Sequence, residues 1–470
     1  MTTLLDQSAS AIAAAVAAGQ IEPLDLAEAA LARAAERNPT INALTRIEAA
    51  PIRAEAAALT QRIAAGEALP LAGVPVVIKD NIWVKDRRVT QGSRLFEDHI
   101  APEDAIATAR LRAAGALILG ISTCSEFACK GVTNTPLYGT TRNPLDKDLT
   151  PGGSSGGSAA ALADGIVPLA LGTDGGGSGR RPAAHCGVIG FKPSQGAIPY
   201  GPGFPEPFWD ICTIAPMART AADLSLLFET LVGAEERDVI SRLTLAPAEE
   251  SRSLRIAFAP RMGRDVAMDA DATAVTLAAI DALRSAGVVI HDAAPDWPDG
   301  GNEGALMPLQ FAGLAALHGQ KWKSRPELFD PDIGTQIEQG LALPGTAVAR
   351  ALDAGRAMRT ALAAFFTRYD LLLCPTTPCA AWPLGRPGPE SIGGRPASPR
   401  DHAVFTPQMN HARSPALSLP CGSNPRGLPF GLQIIARVGA DRSVLAAARH
   451  FESIFLSAGL TSAPFPDEAA

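Results

Sequence analysis

Lysine is rare in this 470-residue chain, where seven of the 41 basic residues are Lys and the rest Arg. Lys79 ends the run LAGVPVVIK, whose Val76, Val77 and Ile78 are β-branched or fully apolar. An amine held there loses hydration, which disfavours its charged form and turns it toward proton acceptance. The competing reading is a strand-end lysine whose head reaches water. Two glycine and serine clusters follow. The first, Pro151, Gly152, Gly153, Ser154, Ser155, Gly156, Gly157, Ser158, is not a phosphate-binding loop, because Ser158, Ala159 and Ala160 stand where Lys and Ser or Thr would be needed. It also satisfies G-x-S-x-G, yet NPLDKDLTP before it is no hydrophobic strand, as a nucleophile elbow requires. The second cluster, from Gly172 through Thr173, Asp174, Gly175, Gly176 and Gly177 to Ser178, follows the apolar run IVPLAL. Consecutive glycines can turn several N–H groups into one concavity that holds an anion or a developing oxyanion, with Ser178 at its end; a plain glycine-rich turn competes. Neither cluster holds a histidine for a Ser-His-Asp mechanism. His185, the nearest, reads as structural.

These residues need elements to position them. The run at 76–78 suits a buried strand, 104–115 a helix, and AGALILGIST a second strand, an alternation typical of α/β sheets, mixed or parallel. A short helix is expected at 158–163 and a strand at 166–171. Upstream, Ala/Leu-rich patterns predict helices, one ending at Gly19, another opened by Pro23 and stopped by Asn38 and Pro39. Residues 246–400 read as less regular, with helices near 270–286 and 346–366. Two apolar runs around a turn and a helix at 443–456 close the chain.

Composition sets bounds. Apolar residues make up 47% against 19% charged, which excludes a disordered chain. Forty-eight acids against 41 bases give a net charge of −7, the wrong balance for a surface that neutralises phosphates. Seven cysteines, an odd number spread along the chain, argue against a disulfide framework, and the five-residue spacing of Cys124 with Cys129 and of Cys374 with Cys379, which matches no common zinc knuckle, together with the absence of HExxH argues against a metal site. The N-terminus lacks a basic signal-peptide start, no long apolar window suggests a membrane span, and a cytoplasmic location is expected.

The run GGSSGGSAAALADGIVPLALGTDGGGSGRRPAAHCGVIGFKPSQG at 152–196 closely resembles the amidase signature family. The likeness extends to LAGVPVVIKDNI, YGTTRNP, APMARTAADL, SPALSLPCG and GLPFGLQ, and so spans most of the chain. It implies one large α/β domain over 1–470, with a central, mixed, twisted β-sheet covered by helices on both faces. Its expected parts are a helical region at 1–66, a signature core at 71–240, a variable segment or cap at 241–400 and a core part at 401–470. It further implies an amidohydrolase with Lys79, Ser154 and Ser178 as catalytic residues, Ser154 following a cis peptide bond. Ser178 would attack the carbonyl while neutral Lys79 takes the proton through the Ser154 hydroxyl. The N–H groups of Gly175, Gly176, Gly177 and Ser178 would form the oxyanion hole, supported by Ser155, Thr173, Asp174 and Arg180.

Gly175, Gly179 and His185 depart from the residues usual in relatives, which predicts a looser loop and a wider pocket. Aromatic residues of IPYGPGFPEPFWD, namely Tyr200, Phe204, Phe208 and Trp209, together with Tyr138, are candidates for an aromatic-lined pocket, with an ordinary packed loop as the alternative. Anilides and aryl amides, with aryl esters and carbamates, present the carbonyl such a site would attack. A small-molecule amide is the expected partner, with no cofactor, metal, nucleic acid or membrane. The alternative within the family is the glutamine-hydrolysing subunit of a tRNA-dependent amidotransferase. Nothing in the sequence sets the oligomeric state.

Overall fold

The computed structural model describes residues 4–249, 254–298 and 303–462; the parts of the expected terminal and cap segments at 1–3, 250–253, 299–302 and 463–470 lie outside the described residues. The chain forms a single α/β domain built on a ten-stranded mixed sheet flanked by helices. Its strands run, edge to edge, Leu117–Ser122, Pro75–Lys79, Leu169–Asp174, Thr213–Ala218, Ile189–Lys192, Ala416–Ser423, Pro429–Ala436, Leu371–Pro375, Ile256–Phe258 and Ile290–Asp292. The apolar run before Lys79 becomes a strand buried at every position, parallel to both neighbours. Parallel pairing brings the carboxyl ends of Pro75–Lys79 and Leu169–Asp174 to the same edge, the usual place for a site in an α/β sheet. The next strand, Thr213–Ala218, pairs antiparallel, with Asp174 opposite Thr213.

The helix Gly156–Ala163 packs against both parallel strands. Its start is glycine for a steric reason: a Cβ on Gly157 would lie 2.4 Å from Thr123 Oγ1 and 2.5 Å from the Ala43 carbonyl. The strand expected at 166–171 is Leu169–Asp174, because Gly172, Thr173 and Asp174 keep sheet pairing with Ala215, Ile214 and Thr213. The helix expected to stop at Asn38 runs Pro23–Ile41 through Pro39. Proline so near the end costs only one backbone bond, and Asn42, at φ 50°, supplies the left-handed cap.

The segment 241–400 is more than the expected variable segment or cap. It supplies the strands Ile256–Phe258, Ile290–Asp292 and Leu371–Pro375 that complete one side of the sheet. It also contains two helices that sequence reading missed, Glu303–Ser324, which runs through Pro308, and Pro331–Ala342. The closing apolar runs form the antiparallel pair Ala416–Ser423 and Pro429–Ala436. Among the described residues, no helix is long and apolar enough to cross a membrane.

Candidate active site

Lys79 is 0% exposed, so its amine does not reach water. Its Nζ lies 2.7 Å from Ser154 Oγ and 2.8 Å from Thr173 Oγ1. Burial pushes the ammonium pKa down; neighbouring thiols and the Asp174 carboxylate oppose that shift without reversing it. Thr173 Oγ1 also accepts from Asn81 Nδ2 at 3.0 Å, so the amine is oriented by a hydroxyl that is itself oriented. Asn81, two residues past Lys79, drew no attention in the sequence.

The Gly153–Ser154 peptide is cis. Thr133 Oγ1 donates to the Gly152 carbonyl at 2.9 Å and accepts from Gly156 N at 3.0 Å, spanning the turn that presents Ser154. Ser155 Oγ donates to the Thr173 carbonyl at 3.2 Å, and its N–H donates to the Ser178 carbonyl at 3.2 Å. The first serine loop is thereby tied to both the strand end and the second loop. Hydrogen bonds join Ser154 to Lys79 and Ser155 to Ser178, while the Ser154 and Ser178 hydroxyls are not bonded to each other. Ser178 is 6% exposed, the most accessible of the three.

Asp174 organises the glycine loop. Its carboxylate accepts from Gly177 N at 2.7 Å and Gly179 N at 3.2 Å, and from Arg180 Nη2 and Nε at 2.9 and 3.0 Å. Burial alone would raise this carboxyl's pKa, but the Arg180 guanidinium, then hydrogen bonds from Arg180 and Asn410, hold it well below the usual carboxylate range. Gly177 is therefore corrected as an oxyanion donor: its N–H is already bound by Asp174. Among the described residues, the N–H groups of Gly175, Gly176 and Ser178 donate to no protein acceptor. Arg180 is fully buried and donates to Asn410 Oδ1, Gln433 Oε1 and the Thr406 carbonyl, residues that sequence reading missed.

The space beside Gly175 and Gly179 is filled. A Cβ on Gly179 would stand 2.7 Å from Ala215 Cβ, and one on Gly175 would stand 3.2 Å from the Phe208 ring, so both glycines are packed close. His185 lies under the first loop beside Trp382; burial, then Arg181, pushes its pKa down to about 3 and keeps it neutral.

Gly175 and Gly176 open onto a narrow cleft walled by Phe208, Ile211, Leu306, Met307 and Arg400 among others. Of the five candidate aromatics, Phe208 is the one on this wall. Phe204 instead joins Trp83, Phe96 and His99, with ring centroids 5.7, 4.8 and 4.7 Å away. Tyr138 hydroxyl lies 3.1 Å from Thr90 Oγ1, which donates to Asp80. Tyr200 hydroxyl reaches Cys212 Sγ, and Trp209, 47% exposed, donates to the Leu309 carbonyl. One ring of the five lines the cleft: Phe204, Tyr138 and Tyr200 find partners elsewhere in the fold, and Trp209 meets the cleft only through the backbone of Leu309. All seven cysteines are free and buried, and among the described residues no group of three or more His, Cys, Asp or Glu is gathered as a metal would require.

The family model for Amidase matches residues 25–445. An acylamidase of Rhodococcus erythropolis is 36% identical over 459 residues, covering 95% of both chains. A glutamyl-tRNA(Gln) amidotransferase subunit from Deinococcus radiodurans is 35% identical over 479 residues, covering 95% of this chain and 97% of that one. The crystal structure of a bacterial aryl acylamidase of the amidase signature enzymes superposes with a TM-score of 0.88 at 28% identity, over 95% of this chain and 96% of that one.

Proposed function

From the premise that the chain belongs to the amidase family and is a hydrolase of amide C–N bonds, we propose that it cleaves aryl and other acyl amides through an acyl-enzyme on Ser178. The observation that carries this reading is the buried Lys79 amine 2.7 Å from Ser154 Oγ. Neutral Lys79 takes the Ser154 proton while Ser154 takes that of Ser178, whose Oγ bonds to the substrate carbon. Charge develops on the carbonyl oxygen, and the N–H groups of Gly175, Gly176 and Ser178 receive it. Collapse breaks the C–N bond as Ser154 returns a proton to the departing amine. Water then attacks the ester on Ser178 by the same proton route. Aryl esters and carbamates carry a carbonyl open to the same attack.

The test is intact-mass analysis after treatment with an aryl fluorophosphonate, followed by peptide mapping. One adduct on Ser178, with amide hydrolysis lost in proportion, is expected. Undiminished hydrolysis by fully labelled protein would overturn the reading.

The cleft lining favours apolar or aryl amides over glutamine. Phe208, Ile211, Leu306, Met307 and Leu309 face it, and no carboxylate among its described lining residues could receive an amino acid's ammonium group. Replacing Phe208 with alanine should cost an anilide about tenfold more in kcat/KM than an aliphatic amide, the scale of an aromatic contact of about 0.5–1.5 kcal/mol. Kinetics on the matched pair decide it, and equal losses would remove Phe208 from substrate selection. The second reading, a glutamine-hydrolysing role, draws on the likeness to the glutamyl-tRNA(Gln) amidotransferase chain. Glutamine turnover exceeding that of anilides would favour it.

A further inference from the structure

Three consecutive glycines have the greatest backbone freedom a chain can offer, yet donors aimed at a developing charge are effective only when held in place beforehand. One peptide of the loop, Gly176–Gly177, is held at both ends. Its N–H is bound by Asp174, as described above. Its carbonyl accepts from Arg181 Nη1 at 2.6 Å and from Thr406 Oγ1 at 2.9 Å. Thr406 also presses on the neighbouring residue: a Cβ on Gly177, which sits at φ 110°, would lie 2.2 Å from Thr406 Oγ1.

Arg181 does more than hold this carbonyl. Its own N–H donates to the Gly177 carbonyl at 2.8 Å, and its Nη2 reaches the Gly153 carbonyl at 3.4 Å. Gly153 is the residue joined to Ser154. One buried guanidinium thus touches both loops, the one that carries the N–H donors and the one that carries the hydroxyl bound to Lys79. No other side chain described above donates to carbonyls of both.

We propose that Arg181 is a positioning residue that fixes the spacing between the donor loop and the Ser154 loop, so that the proton relay and the oxyanion donors serve the same carbonyl carbon. The proposal rests on the acyl-enzyme reading above. A guanidinium is suited to the task because its planar fork can donate to two carbonyls in different directions, whereas a lysine ammonium is a compact charge on a flexible stem. Geometry, not charge, is therefore the quantity Arg181 supplies.

The experiment compares Arg181→Lys and Arg181→Met on an anilide, with rates expressed per phosphonate-reactive site and melting temperatures recorded alongside. Both should lower kcat about 100-fold, the scale of a misplaced oxyanion donor, while KM stays within about threefold. A rise of kcat/KM with pH is expected if buried Lys79 must be neutral to act, and the variants should keep its midpoint, because the hydrogen-bond partners of the Lys79 amine are unaltered. A lysine variant with wild-type kcat would overturn the proposal, since charge alone would then suffice, and so would wild-type kcat in the methionine variant. Should either variant fail to fold, Thr406→Val takes its place. It removes the second donor to Gly176 and should lower kcat about tenfold at constant KM; unchanged kcat would count against the clamp. Absence of Ser178 labelling in the wild-type enzyme, with amides still hydrolysed, would instead defeat the acyl-enzyme reading.

Discussion

Lys79→Met is expected to slow amide hydrolysis by about 10³-fold, the scale of a lost general base, and at the same time to raise the melting temperature. The two effects have one origin. Lys79 is wholly buried, and burial moves its pKa below the ordinary 10.5. In wild-type enzyme, kcat/KM for an anilide should therefore climb with pH as the amine loses its proton, with a midpoint below 10.5. For stability the sign follows from linkage. The unfolded lysine binds a proton more readily than the native one, so native stability rises with pH between the lowered native value and 10.5. The stabilisation in Lys79→Met should accordingly be larger near pH 6 than near pH 10. Thermal unfolding and rate profiles on the same samples test both halves. A rate that rises with pH nowhere below 10.5 in a chemistry-limited reaction would reject Lys79 as the base.

Arg180→Met should destabilise the fold by about 3–5 kcal/mol, because it strands the buried Asp174 carboxylate without its cation. Asp174 and Arg180 are both 0% exposed, and the carboxylate also holds Gly177 and Gly179, so activity should fall with stability. The native Asp174 pKa is depressed, which fixes the pH window: the ion pair contributes above the ordinary carboxylate value of 3.8 and fades as acid protonates the native carboxyl. Urea unfolding should show the full difference between variant and wild type at pH 7 and a smaller one below about pH 3. Coincident unfolding curves at pH 7 would mean that the pair is dispensable.

What the sequence made legible was local. The β-branched run before Lys79 and the second glycine cluster are patterns within a few residues, and they led to the strand, the turn, Lys79 and Ser178, while the role of Ser154 came only with the family resemblance. Long-range partnerships were hidden. No pattern announces that Thr406 donates to the Gly176 carbonyl, or that Phe204 packs against Phe96 and His99, about a hundred residues earlier, while Phe208 covers Gly175. The five-residue helix Pro407–His411 reads as an unremarkable stretch after Thr406, yet its Asn410 binds both Asp174 and Arg180. The helix Glu303–Ser324 was obscured by its internal Pro308 and by glycines that weaken a periodic reading.

The bonds of Arg180 to Thr406, Asn410 and Gln433 bridge 226, 230 and 253 residues. Contacts of such separation form late when a chain leaves the ribosome from its amino end. Ser178, the proposed nucleophile, is thus synthesised long before the scaffold that surrounds it. On that reading the site is complete only once the segment carrying Thr406, Asn410 and Gln433 has docked, and a chain truncated before Thr406 is expected to be inactive.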